Sequence, residues 1–331
     1  MNVKSTAHRF RLVLLTCLLG GLCHATTIYT VSFSTGELIT YQSEDPVGSR
    51  SVLLTGGSLV SPSSITLGPD GNLYIGESGD GSTFAPRISK FEVSSLTLST
   101  VYAFSGFELF PGSLVFAGND LIIGRNPFFS DTGPALRLTN ATGGALAISD
   151  YSTGGSLASS PGIAISSDGS FFVSDQTYNF STGIASGPVK RFDASGNYVG
   201  ELIADGADGL AGPTGLVISG DNLFTASVMT GTILKTDLTS DSTEAFADTG
   251  APFEAGTLAA LADGTLLVGS TSGNGNIYHF DTDGTLKNTF ASGLGQIGGI
   301  TAVPEPSSAL LGILGLLPIL RRKRAAFMNA R

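Results

Sequence analysis

Between Ser159 and Asp175 the chain reads Ser-Ser-Pro-Gly-Ile-Ala-Ile-Ser-Ser-Asp-Gly-Ser-Phe-Phe-Val-Ser-Asp. Ile163 and Ile165 alternate with smaller residues, Asp168-Gly169 supplies a tight turn, and a second apolar stretch ends in a small and then a polar residue. Two period-2 runs split by Asp-Gly predict a β-hairpin. The hairpin recurs, and this recurrence is what limits the fold. Related copies start at Pro62, Pro111, Pro213 and Gly256, and the first strand of a sixth stands at Gly298–Val303. The anchoring residues Ile65, Leu114, Ile163, Leu216, Leu258 and Ile300 lie 49, 49, 53, 42 and 42 residues apart. A period in the forties with four strands per unit predicts β-propeller blades.

Third strands follow each hairpin at Ile88–Phe91, Ala135–Leu138, Val189–Phe192, Ile233–Thr236 and Ile277–Phe280. Fourth strands run through Leu98–Phe104, Leu146–Tyr151, Tyr198–Ile203, Thr243–Phe246 and Leu286–Phe290. Before the first full copy stand only Ile28–Phe33 and Glu37–Tyr41, which match third and fourth strands. The orphan strand at Ile300 matches a first strand, so one composite blade, lacking its second strand, is expected to close the ring. Closure hides the sheet edges that invite aggregation. The expected fold is all-β: a six-bladed propeller over residues 26–302, with about 46 residues per blade.

Both ends differ from this body. Lys4, Arg9 and Arg11 precede the uncharged apolar run Leu12–Leu22, and Cys23-His24-Ala25 offers small residues for cleavage, so residues 1–25 read as a secretory signal peptide cut after Ala25. Both cysteines, Cys17 and Cys23, fall in it, which excludes disulfides and thiol catalysis from the mature body. Within 26–302 there are 9 Lys and Arg against 26 Asp and Glu, a formal charge near −17. So acidic a body is a poor partner for nucleic acid.

The hairpin Pro-x-Gly-Ile…Asp-Gly-x-Phe-x-Val-x-Asp resembles those of the NHL and gluconolactonase-like six-bladed propellers. Aligned second strands put Gly76, Gly124, Ser174, Ala226 and Gly269 at one position, small as crowding near an axis demands, and Glu77, Arg125, Asp175, Ser227 and Ser270 at the next. Those next residues open the loops to the third strands, so Glu77, Arg125 and Asp175 form a candidate ligand rim on the channel. The resemblance implies a divalent cation such as calcium on the axis, with Glu77 and Asp175 as its candidate ligands and Asn126 beside Arg125. Arg125 puts a cation where the metal would sit, and a salt-bridged rim with no cofactor is the preferred expectation. His279, the sole histidine outside the leader, shares the third-strand position of Lys90, Arg137, Arg191 and Lys235, and is expected on the surface. Asp281-Thr-Asp283-Gly284 begins like a calcium loop but lacks the later ligands, so it reads as a turn.

From Val303 the chain reads Val303-Pro304-Glu305-Pro306, then an apolar run over 308–320, then Arg321-Arg322-Lys323-Arg324. The 13-residue run would span about 20 Å as a helix, short for a membrane core of roughly 30 Å, with the basic cluster marking the cytoplasmic side. A Pro-Glu-Pro motif, a short transmembrane helix and a basic cluster in this order resemble the PEP-CTERM sorting signal of Gram-negative bacteria, here 303–331. That resemblance implies recognition by an exosortase, a membrane peptidase, passage to the cell surface or extracellular space, and association with exopolysaccharide. The expectation is a non-enzymatic surface or matrix protein, membrane-held before processing. The alternative is a lactonase-like metal-dependent hydrolase acting at the axis.

Overall fold

The computed structural model describes residues 26–80, 82–105, 110–125 and 133–304. The leader 1–25, Asn126, and the segment from Glu305 through Pro306 and Arg321–Arg324 lie outside the described residues. Among the described residues no helix is long and apolar enough to cross a membrane.

The chain opens with β1 (Thr26–Ser32), β2 (Glu37–Gln42) and β3 (Ser51–Leu54). The first blade is β4 (Pro62–Leu67), β5 (Leu73–Glu77), β6 (Arg87–Glu92) and β7 (Thr97–Ala103). The second is β8 (Pro111–Ala117), β9 (Asp120–Arg125), β10 (Leu136–Thr139) and β11 (Ala147–Asp150). In the third, β12 (Gly162–Ile165) and β13 (Phe171–Ser174) are parted from β16 (Val189–Phe192) and β17 (Tyr198–Ile203) by a small hairpin, β14 (Thr177–Asn179) and β15 (Ile184–Ser186). The fourth is β18 (Pro213–Ser219), β19 (Asn222–Ser227), β20 (Thr232–Asp237) and β21 (Thr243–Asp248). The fifth is β22 (Thr257–Ala260), β23 (Leu266–Gly269), β24 (Ile277–Phe280) and β25 (Leu286–Ala291), and β26 (Ile297–Pro304) ends the described chain.

Six four-stranded sheets result, the sixth in the order β26-β1-β2-β3. The ring therefore closes through a composite blade, but its strands are offset from the expected assignment. β1 pairs directly with β26, Ile28 opposite Ala302 and Thr30 opposite Ile300, so it is the second strand and β2 the third. The fourth is β3, whose pairing with β2 places Val52 opposite Ile39. β3 is half exposed and has a weak sequence signal. A sharper signal was present in β2: Leu38 and Tyr41 stand three apart, like Ile88 and Phe91, Val189 and Phe192, and Ile277 and Phe280 of the other third strands. The last strand also continues through Val303 and Pro304, two residues past the expected end of the body.

The core is six clusters, one between each pair of neighbouring blades. Tyr29, Val31 and Leu38 of the composite blade meet Ile65, Leu73 and Ile75 of the first. On its other flank Ile28, Ile39 and Tyr41 meet Ala259, Leu267 and Phe290 of the fifth. The composite blade is thus buried on both faces, as a ring requires.

The small second-strand position is explained by the neighbouring blade rather than by the axis. A Cβ on Gly124 would stand 2.1 Å from the Ser160 carbonyl oxygen, and one on Gly76 would stand 2.8 Å from Pro111 Cβ. Ser174 uses the same closeness to donate to the Thr214 carbonyl at 2.7 Å. First strands approach one another just as tightly. A Cβ on Gly298 would lie 1.9 Å from the Pro62 carbonyl oxygen, and one on Gly299 would lie 2.8 Å from the Ile65 backbone nitrogen. Gly215 N–H donates to the Gly256 carbonyl at 2.8 Å. These contacts set first strands side by side in the same direction. The loops from second to third strands therefore gather at one end of the axis, and the turns from first to second strands at the other.

Candidate functional site

Glu77 is fully buried. Its Oε2 accepts from Val60 N–H at 2.8 Å and Arg87 Nη2 at 2.9 Å, while Oε1 accepts from Arg87 Nε at 2.8 Å and from Ser89 Oγ. Asp175 accepts from Ala158 N–H at 2.6 Å through Oδ1 and pairs through Oδ2 with Lys190 Nζ at 2.5 Å. The same Lys190 donates to the Gly155 and Ser156 carbonyls. Ser227 Oγ accepts Ala211 N–H at 2.8 Å, Ser270 Oγ donates to the Phe253 carbonyl at 3.3 Å, and Ser32 Oγ donates to the Leu294 carbonyl at 2.6 Å. One position, repeated around the ring, fastens the segment that leads into its own blade. Arg125 donates from Nε to the Pro134 carbonyl at 2.9 Å, and its N–H donates to Ser160 Oγ at 2.6 Å. The structure places Glu77 and Asp175 in separate ion pairs inside their blades. Among the described residues no three or more His, Cys, Asp and Glu side chains are placed to hold a metal ion.

What opens to solvent on the axis is a cavity of about 540 Å³, lined by the first strands of all six blades. Successive strand residues point to opposite sides. At the end of the second strands the residue after the fastening position therefore reaches the channel: Phe33, Gln176, Val228 and Thr271 line it, one step beyond Ser32, Asp175, Ser227 and Ser270. No Asp, Glu, Lys, Arg or His is among the described residues that line this channel.

The hairpin β14–β15 stands at this mouth and was not foreseen. Tyr178 pairs with Ala185, and both line the channel. Phe180, 64 % exposed at the tip, meets the Tyr178 ring edge-on with centroids 4.9 Å apart. Phe253 also lines the mouth. The alternation Tyr178-x-Phe180 followed by Gly183, in a loop longer than its counterparts, was the available signal.

Glu254 is a second feature that repeat alignment could not show, since it precedes a first strand. Its buried carboxylate accepts from Ser272 Oγ at 2.5 Å, Tyr278 Oη at 2.9 Å and Asn274 Nδ2 at 3.3 Å. Burial works against the charge, but these donors outweigh it and hold the carboxyl below its usual range.

His279 is buried, contrary to the surface position expected from its alignment. Lys90 at that position reaches Asp70 at 2.8 Å, and Arg137 pairs with Asp120. The shorter imidazole stops at Thr265, with Nε2 2.8 Å from Oγ1, and Thr265 passes the link to Asp263 at 2.7 Å. Burial, helped by Lys287, lowers its pKa below 6.5 against the opposing pull of Asp263 and Asp281. A depressed folded pKa means that the unfolded chain takes up the proton first as pH falls. Stability from this group is complete above pH 6.5 and declines below it, towards the lower folded value. We expect urea midpoints to fall from pH 7 to 5 in the parent and to stay flatter in His279→Gln. A parent midpoint that rises over this range would contradict the buried neutral imidazole.

No family model matches the chain, and no curated protein matches it. Solved structures do. A chain in a crystal structure of a nidogen/laminin complex superposes with a TM-score of 0.67 at 13 % identity, covering 84 % of this chain and 98 % of that one. TolB from Acinetobacter baumannii gives 0.59 at 12 % identity, covering 90 % of this chain and 72 % of TolB. At such identities the likeness is one of fold. The chain is an all-β, six-bladed propeller of the kind seen in these proteins.

Proposed function

We propose that this chain is an exported surface or matrix propeller that acts by binding rather than by catalysis. In this reading an exosortase-type peptidase sorts it through 303–331, and exopolysaccharide is its partner. The observation that carries the binding role is the channel. Among the described residues its lining carries no charged group, while the rim carboxylates Glu77 and Asp175 are taken up by Arg87 and Lys190. Hydrolysis at the axis needs a general base or a metal-bound water, most often supplied by a carboxylate or imidazole that faces the substrate, and none is among the described residues that line the channel. The described lining, uncharged and including Tyr178 and Phe253, with Phe180 at the nearby hairpin tip, suits a neutral ligand such as a sugar chain, which offers apolar ring faces and hydroxyls. A similar fold occurs in a nidogen/laminin complex, which accords with a binding role.

The test is the mature protein in its host. We expect its mass to end near Pro304, with the protein in the surface or matrix fraction, and Glu305→Ala to leave it unprocessed in the membrane. An intact C-terminus through Arg331 in the parent rules out processing. A melting temperature raised by calcium or zinc, and lost in Asp175→Asn, would instead favour the metal hydrolase.

A further inference from the structure

We infer that, in the membrane-held chain, the propeller rests with the face of its first-to-second-strand turns toward the lipid surface and its channel mouth pointing away. This rests on reading the apolar run at 308–320 as a membrane anchor. The direction comes from the composite blade. β26 starts at Ile297, opposite Ser32, and ends at Pro304, opposite Thr26. Phe33 and Gln296, just beyond the first pair, line the mouth. Pro304 therefore leaves the ring at the opposite end, where the other blades place the turns Asp70-Gly71, Asp168-Gly169 and Asp263-Gly264.

Length decides between the two faces. Only Glu305, Pro306 and Ser307 separate the strand from the start of the apolar run at Ser308. Fully extended, four residues reach roughly 14 Å. From Ile297 to Pro304 the eight residues of β26 span about 23 Å at about 3.3 Å per step, so the mouth lies further from the exit point than the tether can reach. Bringing Phe180 and Ile184 to the lipid would require the chain to pass outside the ring and back.

The two ends differ in chemistry. Asp70, Asp168, Asp193 and Asp283 occupy the turn face, and their carboxylates accept backbone N–H groups of their own turns. Such a face abuts headgroups without inserting. The exposed aromatic Phe180 stands at the far end, turned to whatever approaches from outside the cell.

The chain after removal of the leader, residues 26–331, contains no cysteine. Ser167→Cys in the turn face and Ser181→Cys at the hairpin tip are each labelled with bimane. The labelled chains are then reconstituted in phosphatidylcholine vesicles containing a nitroxide-headgroup lipid. We expect quenching at position 167 several-fold stronger than at 181. Equal or stronger quenching at 181, or none at 167 in vesicles that carry the protein on flotation, overturns the orientation and leaves the anchor standing. Failure of the chain to float removes the anchor, and this arrangement with it.

Discussion

A chain lacking Thr26–Gln42 is expected to show no cooperative melting transition and to elute as aggregate rather than monomer. β1 and β2 lie between β26 and β3, so their loss leaves the edge of β26 bare and separates β3 from the ring. Ile28, Tyr29, Val31, Leu38, Ile39 and Tyr41 are all buried there. At about 1.5–3 kcal/mol for each such side chain, the loss is of the order of the 5–15 kcal/mol that holds a whole domain. The damage also spreads, because these residues complete the clusters on both the first and the fifth blades. Circular dichroism melting with size exclusion measures it. A truncated chain that stays monomeric and melts at the parent temperature would show that the ring closes without this pair.

Glu77→Ala is expected to destabilise the protein by about 3–5 kcal/mol, the usual cost of removing one partner of a buried ion pair. Arg87 loses its bidentate acceptor, and Val60 N–H and Ser89 Oγ lose theirs. Removing Arg87 as well should restore part of the loss, since no cation is then left unpaired. The surface pair Arg137–Asp120 provides the contrast, and its disruption should cost about 1 kcal/mol or less. Urea denaturation of the single and double variants reads both. A cost for Glu77→Ala no larger than that of the surface pair would mean that the carboxylate is not held as described, and would return it to the candidates for an axial ligand.

These two results bear on different kinds of information. The blade count was legible because each hairpin is local: alternating Ile163 and Ile165, the Asp168-Gly169 turn and Phe171-Phe-Val173 need no distant partner to declare themselves. The composite blade was legible only as a closure. Which strand was second and which third depended on β26 meeting β1 across the whole length of the chain. β3 is too exposed to carry a strong apolar pattern, and β14–β15 are three residues each, below the length at which period-2 alternation is clear.

The site shows the same division. Residue type placed Glu77 and Asp175 at the ends of second strands, which is where they are. Whether a side chain at a strand end faces the axis or its own blade is a matter of one residue in register, and backbone pairing decides it. That single step moved the channel lining to Phe33, Gln176, Val228 and Thr271. His279 follows the same logic: its strand position was readable, but its burial was set by the length of an imidazole against Thr265.

The sequence by itself determined a six-unit ring with an acidic body, since repeats and charge are properties of residues in order. Tertiary structure alone decided that the rim acids Glu77 and Asp175 are spent on Arg87 and Lys190, and that the described residues lining the channel carry no charge. The reason is physical. A buried carboxylate is held by whichever donors the fold brings within about 3 Å of it, and for Asp175 these came from Ala158 on the way into the blade and Lys190 on its third strand.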